Sequence, residues 1–395
     1  MGKSGCVPLI ACLLFTLSTA LVTSSLDAQN LSFQPASSIT SQLKVAPARR
    51  DDFLESSGAG LLEPIPAVAK PCTPSGKFHF VCGPSHSEDM VLVPGTHWII
   101  ASGQSQLYLI NTDAKTWKEL YPGGAPKQKQ DMVNYGNCPG APDPKKFSTL
   151  GLSIRSRSKD IATLYAINKG TRDGVEVFEV DAANTEPNIT WIGCAVMPKG
   201  TNGNAVTSLP DGTILVTSIV DAGHTREEGF SGRVSGGVYE WHPKTGFHLI
   251  RGTELAADNG IESSLDGKEF YVNATGGRSV TKFRREGGEL KREKIDLDFG
   301  PDNIRWGQNG LLFISGRADE PACGGTLAAR NGKLDTDCLR GFEIVTLDPK
   351  TMKIQFIMRT KPDPVFNAWS TALQVGNEIW MPGVRSDRVG YMPLN

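Results

Sequence analysis

The chain has 395 residues, a formal net charge of -1, 21% charged residues and 39% hydrophobic ones. That balance excludes an electrostatic nucleic-acid binder, which needs a basic face to displace counterions, and an acidic disordered chain. Its 43 glycines and 25 prolines imply many turns and therefore many short strands, so one large turn-rich β domain is the first expectation.

Lys3 precedes an apolar stretch from Val7 to Val22, broken by Pro8, Thr16, Ser18 and Thr19. Its uninterrupted core, Leu9 to Phe15, is short of the about 20 residues that span a bilayer. With small residues before Gln29, this reads as a signal peptide over residues 1–28. An uncleaved signal anchor is the alternative, and a lipoprotein box at Leu9-Ile10-Ala11-Cys12 ranks low because the apolar run continues past Cys12. Secretion is therefore expected, with no transmembrane segment after cleavage. Residues 29–76, rich in Ser, Ala, Pro and Gln, read as an extended leader.

Cleavage would leave Cys72, Cys82, Cys138, Cys194, Cys323 and Cys338, an even set that suits disulfides in an oxidising compartment. Six cysteines allow about 15 pairings, and the expected ones are Cys72–Cys82, Cys138–Cys194 and Cys323–Cys338. No Cys-x-x-Cys or spaced His pair suggests zinc. Asn30, Asn188 and Asn273 each open an N-glycosylation pattern, a number close to chance.

From residue 77 onward one pattern recurs: a polar residue, an apolar alternation, a tight turn and a second apolar strand. It appears as SEDMVLVPGTHWIIASG from Ser87, LGLSIRSRSKDIATLYAIN from Leu150 and GNAVTSLPDGTILVTS from Gly203. It returns as DNGIESSLDGKEFYVN from Asp258, PDNIRWGQNGLLFISG from Pro301 and STALQVGNEIWMPG from Ser370. Asp211-Gly212, Asp266-Gly267 and Asn309-Gly310 are read as two-residue hairpin turns. A third strand follows each copy and a fourth usually does. About 50 residues per copy matches a four-stranded propeller blade. An all-β, six-bladed propeller over residues 77–395 is predicted, the last blade completed by a segment around Lys77 to Cys82 because the chain ends after its third strand. Separate β-hairpins in two sandwiches are the bland alternative.

The innermost strand of each blade begins near the axis, so its first residues converge. They are Glu88, Leu150, Asn204, Asn259, the pair Asp302-Asn303, and Ser370. Carboxylate and amide oxygens in flexible geometry are what Ca²⁺ takes, and Glu88 with Asp302 supplies the charge that balances one divalent ion. Singly, such residues cap strand ends. Repeated at equivalent places, they point to a central calcium site.

These motifs resemble the calcium-dependent six-bladed propellers of the paraoxonase/arylesterase family and the senescence marker protein/gluconolactonase family. The likeness runs from about Ser87 to the C-terminus, through Ser87-Glu88-Asp89, Asn204, Asn259-Gly260-Ile261 and Asp302-Asn303-Ile304. It implies that Glu88, Asn204, Asn259, Asp302 and Asn303 are ligands of a catalytic Ca²⁺. The chain also departs from the paraoxonase pattern. Leu150 and Asn168-Lys169 stand where the histidine dyad would be, Ala205 replaces an aspartate of a second, structural calcium, and the terminal disulfide has no counterpart. One calcium is expected rather than two. Of the six histidines, His86 and His224 alone fall near inner loops, where a solvated loop histidine is the default.

The expected function is a secreted calcium-dependent hydrolase of lactones or esters, with Asp302 or Glu88 as base and Ca²⁺ polarising the carbonyl. Top-face loops Asp221 to Arg233, Arg317 to Leu339 and Asp363 to Ser370 would set the substrate, and the first could act as a lid. The alternative is a non-catalytic, calcium-stabilised propeller that binds a ligand or protein. A strictosidine-synthase-like reading has no support in the ligand pattern, and a serine hydrolase lacks its Gly-x-Ser-x-Gly elbow. A monomer with a small-molecule lactone or ester substrate and no nucleic-acid partner is expected.

Overall fold

In the computed structural model the described residues are 71–124, 126–170, 172–323, 329–330, 333–335, 338–367 and 369–394. The expected signal peptide, nearly all of the leader and the Asn30 pattern lie outside them.

Six antiparallel sheets, one per predicted repeat, form a six-bladed propeller. From the axis outward, blade 1 is Met90–Leu92, Trp98–Ala101, Leu107–Asn111 and Thr116–Tyr121. Blade 2 is Thr149–Ser156, Ile161–Asn168, Gly174–Asp181 and Asn188–Val196; blade 3 is Gly203–Ser208, Ile214–Ser218, Gly237–His242 and Gly246–Leu249. Blade 4 is Asp258–Ser263, Glu269–Ala274, Ser279–Glu286 and Glu289–Asp296; blade 5 is Gly300–Trp306, Leu312–Arg317, Phe342–Leu347 and Ile354–Arg359. Blade 6 is Leu373–Val375, Glu378–Met381, Arg388–Pro393 and, outermost, His79–Cys82.

The sequence of each strand follows its radius. Middle strands pack against neighbouring blades on both faces and so read as nearly continuous apolar runs. Leu107–Asn111, Ile214–Ser218 and Phe342–Leu347 are buried along almost their whole length. Rim strands have a solvated face: Glu289–Asp296, sequence ELKREKID, is exposed or half-buried throughout.

The ring closes as expected. His79–Cys82 pairs antiparallel with Arg388–Pro393, bringing the start of the domain against its end. Trp369 adds an aromatic seam there, stacked on Phe342 at 4.9 Å and edge-on to Phe78 at 4.9 Å. The Cys72–Cys82 disulfide pins the closing strand, and Arg388 Nη1 donates to Pro71 O at 2.9 Å. Cys138–Cys194 ties the connection between blades 1 and 2 to the rim of blade 2, and Cys323–Cys338 clips the long loop of blade 5. All three predicted pairings are present.

Two details differ from expectation. The Asp-Gly and Asn-Gly turns are not two-residue hairpins with positive φ at both positions. Only Gly212, Gly267 and Gly310 have positive φ, and their N–H groups close turns onto Leu209, Ser264 and Gly307. The loop is thus one turn followed by a left-handed glycine, which accommodates the strand twist with a single special residue. Blade 2 also carries a fifth strand, Lys127–Gln128, parallel to its rim. Its two polar residues gave no periodic signal.

Candidate functional site

Four inner strands carry an irregularity at the same height. Pairing with the second strand slips between Thr149 and Leu152, Gly203 and Val206, Asp258 and Ile261, and Pro301 and Ile304. A bulge re-aims the residues inside it. Those residues are Leu150-Gly151, Asn204-Ala205, Asn259-Gly260 and Asp302-Asn303. The second member is small in three cases because neighbouring inner strands nearly touch. A Cβ on Gly151 would lie 2.6 Å from Ala205 Cα, and one on Gly260 would lie 2.5 Å from Asp302 O.

Glu88 arrives differently, from the segment before its strand. The N–H groups of Glu88 and Asp89 donate to Ser102 Oγ at 3.0 and 2.8 Å. The Glu88 carbonyl accepts from Ser370 Oγ and, at 3.3 Å, from Thr371 Oγ1. Ser370 therefore positions Glu88 through its backbone.

Four of the five predicted residues are linked in two pairs. Asn303 Nδ2 donates to Glu88 Oε1 and to Thr371 Oγ1, both at 2.9 Å. Asn204 Nδ2 donates to Asn259 Oδ1, and Asn259 Nδ2 donates to Thr275 Oγ1 at 2.9 Å. Glu88 Oε2 and Asn303 Oδ1 are buried without a hydrogen-bond partner. Burial, then the charges of Asp89 and Asp302, hold the Glu88 carboxyl well above the usual carboxylate range. Asp302 keeps some solvent contact at the tunnel mouth, yet burial pushes its carboxyl up to about 6 against the opposing charge of Arg317.

Orphaned buried oxygens beside two carboxylates are a donor set that a hard cation could satisfy. Among the described residues no three carboxylate, imidazole or thiol groups converge on one point. A metal here would therefore depend on the amides as much as on Glu88 and Asp302, a donor set suited to a hard oxygen-seeking cation.

Asn273 escaped the sequence reading because it opens a glycosylation pattern. It is fully buried, donates from Nδ2 to Asp302 O at 2.9 Å, and leaves its Oδ1 unpartnered. Its place on the second strand of blade 4, opposite the Asp258 bulge, was the available signal.

The axial carboxylates also have basic neighbours. Arg305, 4% exposed, lies below the cage and ion-pairs with Asp89. It also donates to Leu152 O at 2.7 Å and Ile304 O at 2.8 Å, with Glu262 Oε2 at 3.7 Å. The remaining Asp89 capacity goes to Leu152 N at 2.7 Å, Thr371 Oγ1 at 2.8 Å and Met90 N at 2.8 Å. A guanidinium, joined to blades 1, 2 and 5, thus stands against Asp89 where the resemblance would put a second ion.

The positions of the missing histidines are also filled. Leu150 is half-buried, and Lys169 ion-pairs with Asp173 and donates to Asn202 Oδ1 at 2.7 Å. Asn168 donates to the buried carboxylate of Glu176 at 2.9 Å. His86 Nδ1 lies 3.0 Å from Val384 O, and His224 is exposed 3.9 Å from Glu228. Neither histidine reaches the cage. Loop 221–233 contains a short helix, Arg226–Phe230, held by a Thr225/Glu228 capping box.

No protein-family model matches the chain, and no curated protein matches it. Solved structures of similar architecture include a luciferin-regenerating enzyme, 10% identical over 80% of this chain and 93% of that one, TM-score 0.49. A putative gluconolactonase is 15% identical over 82% and 94%, TM-score 0.47. A calcium-binding protein, regucalcin, from Agrobacterium tumefaciens is 10% identical over 79% and 91%, TM-score 0.46.

Proposed function

We propose that the protein is a secreted, calcium-dependent hydrolase of lactones or esters, with Glu88, Asn204, Asn259, Asp302 and Asn303 holding the ion. The observation that carries this is the pair of unpartnered buried oxygens, Glu88 Oε2 and Asn303 Oδ1, beside Asp302 at the tunnel mouth. When bound, Ca²⁺ would supply Lewis-acid polarisation of a substrate carbonyl. Secretion accords with the signal-like N-terminus and three disulfides; among the described residues no helix is long and apolar enough to cross a membrane.

The chain's own residues have separable tasks. Glu88 and Asn303 fix one side of the cage through their mutual hydrogen bond, and Asn259 is oriented from behind by Thr275. Asp302 is the base: it retains solvent contact, and an activated lactone or ester asks little of a carboxylate that the cation keeps ionised. A water loses its proton to Asp302 as its oxygen bonds to the carbonyl carbon. The acyl C–O bond then breaks, and the proton passes to the departing alkoxide oxygen, giving a hydroxy acid or an acid and an alcohol.

A second reading has its own observation. Lys169, at a position of the missing histidine dyad, is buried and locked to Asp173 and so offers no base. On this reading calcium is structural and the top face binds without turnover. A panel of lactones and aryl esters assayed with Ca²⁺ and with chelator separates the two. Turnover lost with chelator and in Asp302→Ala, with folding retained, supports the hydrolase. A calcium-raised melting temperature without turnover of any substrate selects the binder. No calcium binding refutes both.

A further inference from the structure

We propose that Arg226 and Arg317 form an anion-recognition pair at the tunnel mouth, which selects a lactone or ester carrying its own carboxylate; the inference rests on the hydrolase reading above.

Both side chains are delivered to the end of the propeller where the cage lies. Arg317 is the last residue of the second strand of blade 5, and its backbone pairs with Gly300, two residues before Asp302. The two strands are pressed together there, since a Cβ on Gly316 would lie 2.1 Å from Gly300 O. Arg226 opens the short helix inserted between the second and third strands of blade 3. Phe230 anchors that helix among Ile219 and Ala257, and Gly276 at the end of blade 4's second strand lies against its backbone. The Arg226 guanidinium sits 5.4 Å from the Phe230 ring centroid, so one of its faces is already covered.

Three little-exposed arginines elsewhere have carboxylate partners. Arg305 has Asp89, Arg172 has Glu176, and Arg388 has Asp387. Among the described residues, neither the Arg226 nor the Arg317 guanidinium donates a hydrogen bond or joins an ion pair. Each is enclosed enough that burial weakens its hold on its proton, and the two like charges oppose one another. Both feel the carboxylate of Asp302; Glu227 offsets Arg226, whereas Arg385 and Lys169 add positive potential.

Charge counting shows what is missing. A divalent ion on the cage cancels Glu88 and Asp302, and Lys169 is already matched by Asp173. Of the acidic groups acting on Arg226, Glu227 of its own helix then remains. Two guanidinium groups close enough to repel one another near Asp302 supply the forked donors that a carboxylate accepts. Such an anion would also hold a substrate carbonyl over the cage, a positioning effect that a neutral lactone cannot exploit.

The test compares two non-hydrolysable ketones, 3-oxocyclopentane-1-carboxylate and cyclopentanone, titrated calorimetrically into the calcium-loaded full chain. The carboxylate should bind at least about tenfold tighter at low salt, a margin of about 1.4 kcal/mol. That margin should collapse in Arg226→Gln and in Arg317→Gln, survive in Arg317→Lys, and shrink as salt is raised. Equal affinities, or a preference that persists in both Gln variants, would overturn the pair. Should the Gln variants melt early, the salt titration and Arg317→Lys decide alone: a salt-independent preference overturns the proposal. Turnover of 5-oxotetrahydrofuran-2-carboxylate and γ-butyrolactone is measured in parallel. Equal kcat/KM for both refutes the pair and keeps the hydrolase. No turnover of either, with the ketone preference intact, refutes the hydrolase and keeps the anion site.

Discussion

Arg305→Met is the perturbation that most directly probes how the axis is held. Arg305 is 4% exposed, Asp89 is fully buried, and their ion pair is tied to Leu152 O and Ile304 O at 2.7 and 2.8 Å. Methionine fills most of the volume but removes the charge. Asp89 is left buried with three neutral donors, Leu152 N, Thr371 Oγ1 and Met90 N. Removing one partner of a buried pair costs about 3–5 kcal/mol, mostly because the other charge stays uncompensated. In a domain of this size that corresponds to a melting temperature lower by roughly 4–8 °C. Asp89→Asn should itself destabilise by stranding Arg305, whereas Arg305→Met with Asp89→Asn removes both charges and should recover about half of the summed loss. Denaturant unfolding of the four proteins, followed by tryptophan fluorescence, closes the cycle. A coupling below about 0.5 kcal/mol, or a single-variant loss below about 1 kcal/mol, would refute the view of Arg305 as a built-in cation at the hub.

Glu88→Gln should weaken calcium binding by at least about 100-fold, since it removes one of two ligand charges; calorimetry checks this, with circular dichroism confirming the fold. Calcium affinity should also rise with pH through about 6, where Asp302 ionises in the metal-free fold, with protons released into the buffer. For metal-free stability the sign is opposite. Because its folded value lies above the unfolded one of about 3.9, the Asp302 contribution is full below that value and is lost as pH rises through about 6. Chemical unfolding with chelator at pH 4, 5 and 7 reads it. Replacing Cys72 and Cys82 with alanine opens a loop of 10 residues, a loss of roughly 2.5–3 kcal/mol that should appear first as faster hydrogen exchange in His79–Cys82. Gly260→Val should lower calcium affinity by about tenfold or more, because its Cβ would meet the backbone of Asp302 and Asn303.

Repetition is why so much was legible before the coordinates. Six copies of strand, turn and strand specify six blades, since each sheet must bury both faces of its middle strands against the next. Equivalent places in the copies singled out Glu88, Asn204, Asn259, Asp302 and Asn303; in the fold Glu88 bonds to Asn303 and Asn204 to Asn259. Short loops suggested Cys72–Cys82 and Cys323–Cys338, leaving the longer Cys138–Cys194, and a missing fourth strand suggested the closing one. These are properties of one blade, or of its order in the chain.

Only the tertiary structure decided what crosses between blades. Arg305 is an unremarkable strand residue in sequence; it finds Asp89, 216 positions away, because closure brings blades 1 and 5 to a common axis. Asn273 read as a glycosylation signal, and only burial against Asp302 shows its other use. Arg226 and Arg317 lie in different blades with no shared motif, and the fold brings both within the field of Asp302. Composition counted a net charge of -1. The fold distributes it as an acidic cage, an arginine beneath and two arginines at the mouth, because electrostatic energy depends on separation and burial, which a count does not contain.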